Sequence, residues 1–176
     1  MRRCEWCGIS IVTSRADARY CSSKCRVYAH RATIPNALTK EARWMRYDAT
    51  KRPLQIDGRP ASSTDPNTWT TYAQAKASTV GVGIGFALGD GYAGIDLDHC
   101  IHNGVPTPEA AAFIADYPEH YIEYSPSGDG LHILGTADPG PGTRRTINGL
   151  RIERYTTGRY FAVTGRIYQR GQLLPL

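Results

Sequence analysis

Tyr92-Ala93-Gly94-Ile95-Asp96-Leu97-Asp98 has the alternation of a β-strand with one apolar and one acidic side. Residues two apart on a strand share a face. Ile95 and Leu97 therefore point into a core, and Asp96 and Asp98 stand together on the opposite face. Adjacent carboxylates repel unless a cation joins them, and paired oxygen ligands suit Mg²⁺ or Mn²⁺. An ordinary exposed strand end reads the same way, so the triplet is weak by itself. Upstream, Val80 to Leu88 alternates as another strand and Gly89-Asp90-Gly91 is a turn. With Tyr92 to Cys100 they predict a hairpin.

Working outward, Thr64-Asp65-Pro66-Asn67-Thr68-Trp69 reads as a turn feeding a helix. Thr64 or Asp65 caps it, and Tyr72 to Ala77 continues it. Pro108-Glu109 opens a helix running to Tyr117. Strands are expected at Tyr121–Tyr124, Leu131–Leu134, Leu150–Tyr155 and Tyr160–Thr164, and a loop at Pro139–Thr143. Asp57-Gly58 marks a turn. A mixed sheet with two or three helices places the chain in the α+β class.

The N-terminus has a different grammar. Cys4 and Cys7 are separated by two residues, and Cys21 and Cys25 by three. Two short-spaced pairs supply four thiolates, the donor set of closed tetrahedral zinc, with His30 a rival ligand. Disulfides are disfavoured in a reducing cytoplasm, where the absence of an apolar signal segment or bilayer-length run places the chain. Ser22 or Ser23 caps a short helix through Cys25, Tyr28 and Arg31. Residues 1–33 thus form a zinc-binding module, Ile34-Pro35-Asn36 a linker, and residues 37–176 a second domain.

Charge is segregated. Residues 1–59 hold 13 Lys/Arg against 5 Asp/Glu, residues 60–139 hold one Lys against 10 acids, and residues 140–176 hold 7 Arg against one Glu. Basic flanks attract a phosphate backbone, and an acidic middle suits divalent cations. Arginine outnumbers lysine 17 to 4. Its fork grips phosphate oxygens in pairs, although a GC-rich genome gives the same bias.

Three further stretches carry chemistry. Ser125-Pro126-Ser127-Gly128-Asp129-Gly130-Leu131-His132 offers hydroxyls and close backbone approach to a phosphate, then a histidine at the start of a strand. A plain hairpin turn with a surface histidine is the bland alternative. Glu153, in Leu150-Arg151-Ile152-Glu153-Arg154-Tyr155, supplies a third strand carboxylate or an ordinary surface ion pair. Arg159 stands before Tyr160-Phe161-Ala162-Val163-Thr164-Gly165 and is placed to hold phosphates. Cys100 reads as a small buried thiol, and His99 and His102 as loop residues. Gly81-x-Gly83-x-Gly85 lacks the dinucleotide-binding spacing. Trp44 and Trp69 read as core, although an aromatic also stacks bases.

The order of these pieces resembles the archaeo-eukaryotic primase superfamily, in the primase-polymerase form of phages, plasmids and other mobile elements. Its acidic DxD, small-x-His and strand-acid motifs match Asp96/Asp98, Gly130-Leu131-His132 and Glu153. Lys51-Arg52-Pro53 and Asp65-Pro66-Asn67-Thr68-Trp69 match family-like flanks, and the resemblance covers roughly residues 44–168. It implies an RRM-like catalytic sheet beside a small α/β N-terminal unit, preceded here by the cysteine module. It implies that Asp96, Asp98 and Glu153 hold Mg²⁺ or Mn²⁺. Ser125, Ser127, Gly128, His132 and Arg159, with Lys51, would bind the incoming NTP or dNTP. It also implies a single-stranded DNA template, a structural zinc, and action in a bacterial or phage-infected cytoplasm. No P-loop accompanies these motifs, so any helicase is expected to be a separate protein. Two rivals share the residues: a metal-dependent nuclease, and a non-catalytic zinc module that regulates replication. A DxD sugar transferase is more remote.

Overall fold

The computed structural model describes residues 4, 9–11, 17–31 and 34–176. Alternating burial governs residues 92–98: Ile95 and Leu97 are 1% and 0% exposed, while Asp96 and Asp98 are only partly covered. In chain order the first elements are α1 (Ser23–Arg31), α2 (Asn36–Thr39), β1 (Trp44–Tyr47), β2 (Pro53–Leu54), α3 (Tyr72–Ala77) and β3 (Gly83–Ala87). Next come β4 (Tyr92–Asp98), β5 (Ile101–His102), β6 (Val105–Pro106), α4 (Pro108–Ile114), β7 (Tyr121–Tyr124) and β8 (Leu131–Thr136). The last are β9 (Thr143–Ile147), β10 (Leu150–Tyr155), β11 (Tyr160–Val163) and β12 (Ile167–Gln169).

A six-stranded sheet has the order β12-β7-β8-β4-β10-β9, and a four-stranded sheet the order β11-β3-β1-β2. The α+β class holds. The sheets are antiparallel throughout their paired strands, with parallel contact confined to the isolated bridges His120–Gln172 and Thr136–Pro175. Parallel neighbours need a crossover. The helix α4 instead links β4 to β7, which β8 separates.

The expected hairpin of residues 80–100 does not form. Gly89 and Tyr92 exchange backbone hydrogen bonds at 3.0 Å, and the chain then turns a corner from one sheet into the other. Both edges of β3 are taken by β1 and β11, and both edges of β4 by β8 and β10. Neither strand has an edge left for the other. The predicted helix from residue 64 is also two elements. Asp65 caps a 3-10 turn over Pro66–Thr68, and Thr71 restarts the chain as α3 with a reciprocal capping box to Gln74. The second cap satisfies more orphan N–H groups, so it sets the helix start. At the N-terminus, Ser22 Oγ accepts from Cys25 N at 3.1 Å and caps α1.

Two cores follow from the strand alternation. Ile95, Leu97, Ile122, Leu131 and Ile133 pack with Ala110 and Ile114 of α4 on one face of the large sheet. Tyr121 and Leu134 on its other face pack with Trp44, Phe86, Phe161 and Val163 of the small sheet. Gly94 makes this second layer possible. A Cβ there would lie 2.5 Å from the Phe161 ring. Gly94→Ala is therefore expected to push β11 off β4 and cost about 1–3 kcal/mol by overpacking. Urea unfolding at equilibrium reads this directly, and an unchanged midpoint would contradict the packing described.

Gly83 and Gly85 are used similarly, each lying where a Cβ would strike the ring of Tyr47 or Tyr160. Trp44 is fully buried and donates to Leu38 O at 3.0 Å. Trp69 is partly covered, donates to Ser62 O at 2.7 Å and lies under the Arg43 guanidinium. Cys100 is 1% exposed, and burial pushes its thiol up to about 11, which leaves it inert at neutral pH. Among the described residues no helix is long and apolar enough to cross a membrane.

Candidate active site

Strand register brings the polar residues together. Glu123 lies opposite His132, His132 opposite Asp96, Asp96 opposite Glu153, and Glu153 opposite Arg144. Residues directly opposite share a face. One row therefore crosses five neighbouring strands on the face turned toward the small sheet. Asp98 stands one step along β4 on that face, opposite Arg151. Where the aromatic core ends, the row opens into a cavity of about 360 Å³. Asp96, His132, Glu153, Lys51, Arg144 and Arg159 are on its lining.

His132 is the buried pivot of the row. Its Nε2 lies 3.6 Å from Asp96 Oδ1, and its Nδ1 lies 3.1 Å from Ala162 O and 3.9 Å from Glu123 Oε1. A carbonyl only accepts, so Nδ1 carries a hydrogen and Nε2 is aimed at the cavity. Burial disfavours the imidazolium, but Glu123 and Asp96 outweigh it, and the His132 pKa is raised above 6.5. Asp96 is shifted in the same direction. Burial pushes its carboxyl up and Asp98 and Glu153 add to this, while His132 and Lys51 oppose it. Like charges share this site at a cost that a cation would remove.

Glu153 accepts from Tyr155 Oη at 2.7 Å and pairs with Arg144 at 3.2 Å. Asp98 Oδ2 lies 3.7 Å from Arg151. Asp96, Asp98 and Glu153 thus share one face, but each also answers to a different neighbour. Among the described residues, the one group of three or more such side chains with all ligand atoms within 4.8 Å is Cys4, Cys21 and Cys25. The Cys21 and Cys25 sulfurs are 3.4 Å apart, well beyond a disulfide bond. Cys7, and the side chain of His30, lie outside the described residues.

The Ser/Gly loop touches the acidic cavity only through Pro126, and Ser125, Ser127 and Gly128 lie off its lining. Ser125 is buried, accepts from Gly130 N at 3.2 Å and meets Ser127 Oγ at 3.0 Å. Gly128 takes φ +85° beside Arg166, and Ser127 faces a neighbouring groove. Arg166 reaches back to the carbonyls of Ser125 and Pro126, which clamps the loop. Gly130 must be small: a Cβ would lie 2.6 Å from Leu97 O. Arg159 lies over the Tyr155 ring, 5.0 Å from its centre.

Lys51 is held in an unusual way. Its φ is +63°, a left-handed value that costs a residue with a Cβ about 1–2 kcal/mol. Asp48 imposes it by accepting from Thr50 N, Thr50 Oγ1 and Arg52 N, and Tyr160 Oη donates to Lys51 O at 2.7 Å. Such strain at a cavity rim is a mark of a working position. Lys51→Gly is expected to keep or raise the melting temperature while weakening nucleotide binding. Lys51→Ala should weaken binding equally with no gain in stability. Thermal melts beside nucleotide titrations separate the two effects, and full nucleotide affinity in Lys51→Gly would exclude a role for the ammonium.

Glu123 escaped the sequence reading. It is fully buried and accepts from Tyr121 Oη at 2.8 Å, Thr164 N at 2.9 Å and Gly165 N at 3.0 Å. Its one sequence signal was an acid inside an otherwise apolar strand, Tyr121-Ile122-Glu123-Tyr124.

Four carboxylates on one sheet face, a buried imidazole between two of them and a rim of Lys and Arg suit metal-assisted transfer of a phosphoryl group. No family model matches the sequence. The chain is 34% identical over 145 residues to a DNA primase-polymerase of Nitratiruptor phage NrS-1. That match covers 75% of this chain and 20% of the phage protein. It supports a primase-polymerase relationship, and the chain spans about one fifth of the relative's length.

Proposed function

We propose that this chain is a DNA-template-dependent nucleotidyltransferase of a mobile element, a primase, a primer-extending polymerase or both. The observation that carries this reading is the row Glu123–His132–Asp96–Glu153–Arg144, of which His132, Asp96, Glu153 and Arg144 line one cavity, with Asp98 next to Asp96 on the same face. The printed name of the phage relative points the same way. Within this reading, residues 37–176 are the catalytic domain with an RRM-like large sheet, and residues 1–33 are a zinc module. Three converging thiols fit zinc, with Cys7 as the fourth ligand.

The donor chemistry of the cavity fits Mg²⁺ or Mn²⁺: Asp96, desolvated beside Asp98 and Glu153, would be relieved by a divalent charge. Bound there, such cations lower the pKa of the attacking 3′-hydroxyl and offset charge on the transferred phosphoryl group. His132 turns Nε2 toward the triphosphate, fixed from behind by Ala162 O and Glu123. Lys51 and Arg159 add charge at the rim, where bidentate contact orients the phosphates. Arg144 and Arg151, more than half exposed in their side chains, pair with Glu153 and Asp98 and add positive charge beside the acids. The Ser125–Gly128 loop, clamped by Arg166, stands at the entrance with Ser127 outward.

The test is the fate of an end-labelled primer annealed to a template, with Mg²⁺ or Mn²⁺ and nucleotides. Lengthening that chelator abolishes is the expected result. Shortening alone would assign the same acids to a nuclease and overturn the proposal.

A further inference from the structure

A second cavity, a groove of about 1430 Å³, runs from Cys4 to Lys51 and Pro126. Lys51 and Pro126 also line the acidic cavity, so the two spaces share a rim. The groove is lined by Lys40, Arg46, Lys51, Lys76 and Arg166 against a single carboxylate among its described lining residues, Asp48. That carboxylate is engaged in its own turn by Thr50 and Arg52. Arg46 is buried on the carbonyls of Val80 and Ala75 and Arg166 holds those of Ser125 and Pro126, so the three lysines are the groove's outward charges. Lys40, Lys51 and Lys76 are exposed, and among the described residues no carboxylate pairs with them. Between the cations lie apolar and aromatic groups. Val82 is 64% exposed, Ile84 and Tyr72 are partly covered, and the Lys76 ammonium lies 5.5 Å from the Tyr72 ring centre.

We infer that this groove binds a single-stranded polynucleotide and leads it from the cysteine cluster to the acidic cavity. Spaced cations along a groove neutralise successive phosphates and release counterions. The apolar strip between them matches the faces of unstacked bases, which a single strand offers and a duplex hides. A free nucleotide needs no groove of this volume. The arginines of the C-terminal segment do not account for it either, because the groove's three exposed lysines all come from residues 40–76. The inference deepens the nucleotide-joining reading by placing the strand that would be copied, and binding itself can be measured apart from joining.

The experiment uses the full chain and a short fluorescein-labelled oligo(dT), read by anisotropy over a salt series. Lys40→Ala/Lys76→Ala removes two groove charges that take no part in the acidic cavity. Its affinity is expected to fall by about tenfold or more, and the slope of log affinity against log salt to shrink by about 1.4, or 0.7 per lysine. Lys40→Arg/Lys76→Arg should retain binding. Asp96→Ala/Asp98→Ala should bind the oligonucleotide at least as well as the native chain. An alanine variant with undiminished affinity and slope overturns the inference even if the native chain extends primers. Absence of oligo(dT) binding by the native chain also overturns it, leaving the groove to an acidic protein or another anion. Normal groove-dependent binding with no primer extension would instead remove the joining reading and leave the groove standing.

Discussion

Asp96→Asn is expected to lower nucleotide addition by about three orders of magnitude while leaving the fold intact. The substitution keeps the shape of the side chain and deletes one ligand charge. A cation held by the carboxylates supplies several kcal/mol of transition-state stabilisation, and about 4 kcal/mol corresponds to that factor. Stability should move the other way. Burial and the neighbouring acids hold the folded Asp96 pKa above its ordinary value of 3.8, so ionisation at neutral pH works against folding. A group shifted in this direction favours the fold below its unfolded pKa and loses that contribution as pH rises through the folded pKa. The neutral amide is therefore expected to melt no lower than the native chain at pH 7. Primer-extension rates beside thermal melts read both effects. Lost activity with a collapsed melting temperature would mean that Asp96 is structural.

Glu123 should behave in the opposite way. Glu123→Ala leaves Tyr121 Oη, Thr164 N and Gly165 N without their acceptor in a fully buried site. Each unsatisfied group costs about 1–3 kcal/mol, enough together to threaten a domain of ordinary stability. Glu123→Gln keeps an acceptor oxygen but removes the charge facing His132, and is the more informative change. The His132 pKa is expected to fall, because burial then meets less opposition. In the native chain this histidine contributes stability that is fully present below about pH 6.5 and is lost as pH rises through its higher folded pKa. The stability gap between native chain and Glu123→Gln should thus be widest in acid and narrow as pH rises. Denaturant melts across pH, with the His132 resonance followed by NMR, test this. A gap independent of pH and an unmoved resonance would separate Glu123 from the histidine.

The sequence made the strands legible where alternation was strong and hid what depends on partners. Residues 92–98 and 150–155 were recognisable because each alternates a core side with a polar side, and residues 121–124 and 131–134 as short runs buried on both faces. Period-two patterning also put Asp96 and Asp98 on one face. It could not reveal that β3 and β4 enter different sheets, since a turn between two strands looks alike whether they pair or part. Nor could it reveal register, and register is what sets Glu123 beside His132 and Arg144 beside Glu153. The β9–β10 hairpin was readable and was passed over. Asn148-Gly149 takes φ +50° and +86°, the pairing that a two-residue hairpin turn favours. Arg144, inside that hairpin, was lost with it. Lys51 was singled out by resemblance alone, and its left-handed backbone, imposed by Asp48, is a tertiary reason that no spacing discloses.

If the Asp96 row joins nucleotides, polymer formation must depend on its acids. The direct measurement supplies single-stranded DNA, with and without a primer, labelled nucleotides and Mg²⁺ or Mn²⁺ to the native chain and to Asp96→Ala/Asp98→Ala. Labelled polymer is expected from the native chain and none from the variant, both proteins being folded. Polymer from the variant at the native rate, or none from the native chain under any of these conditions, would contradict that role.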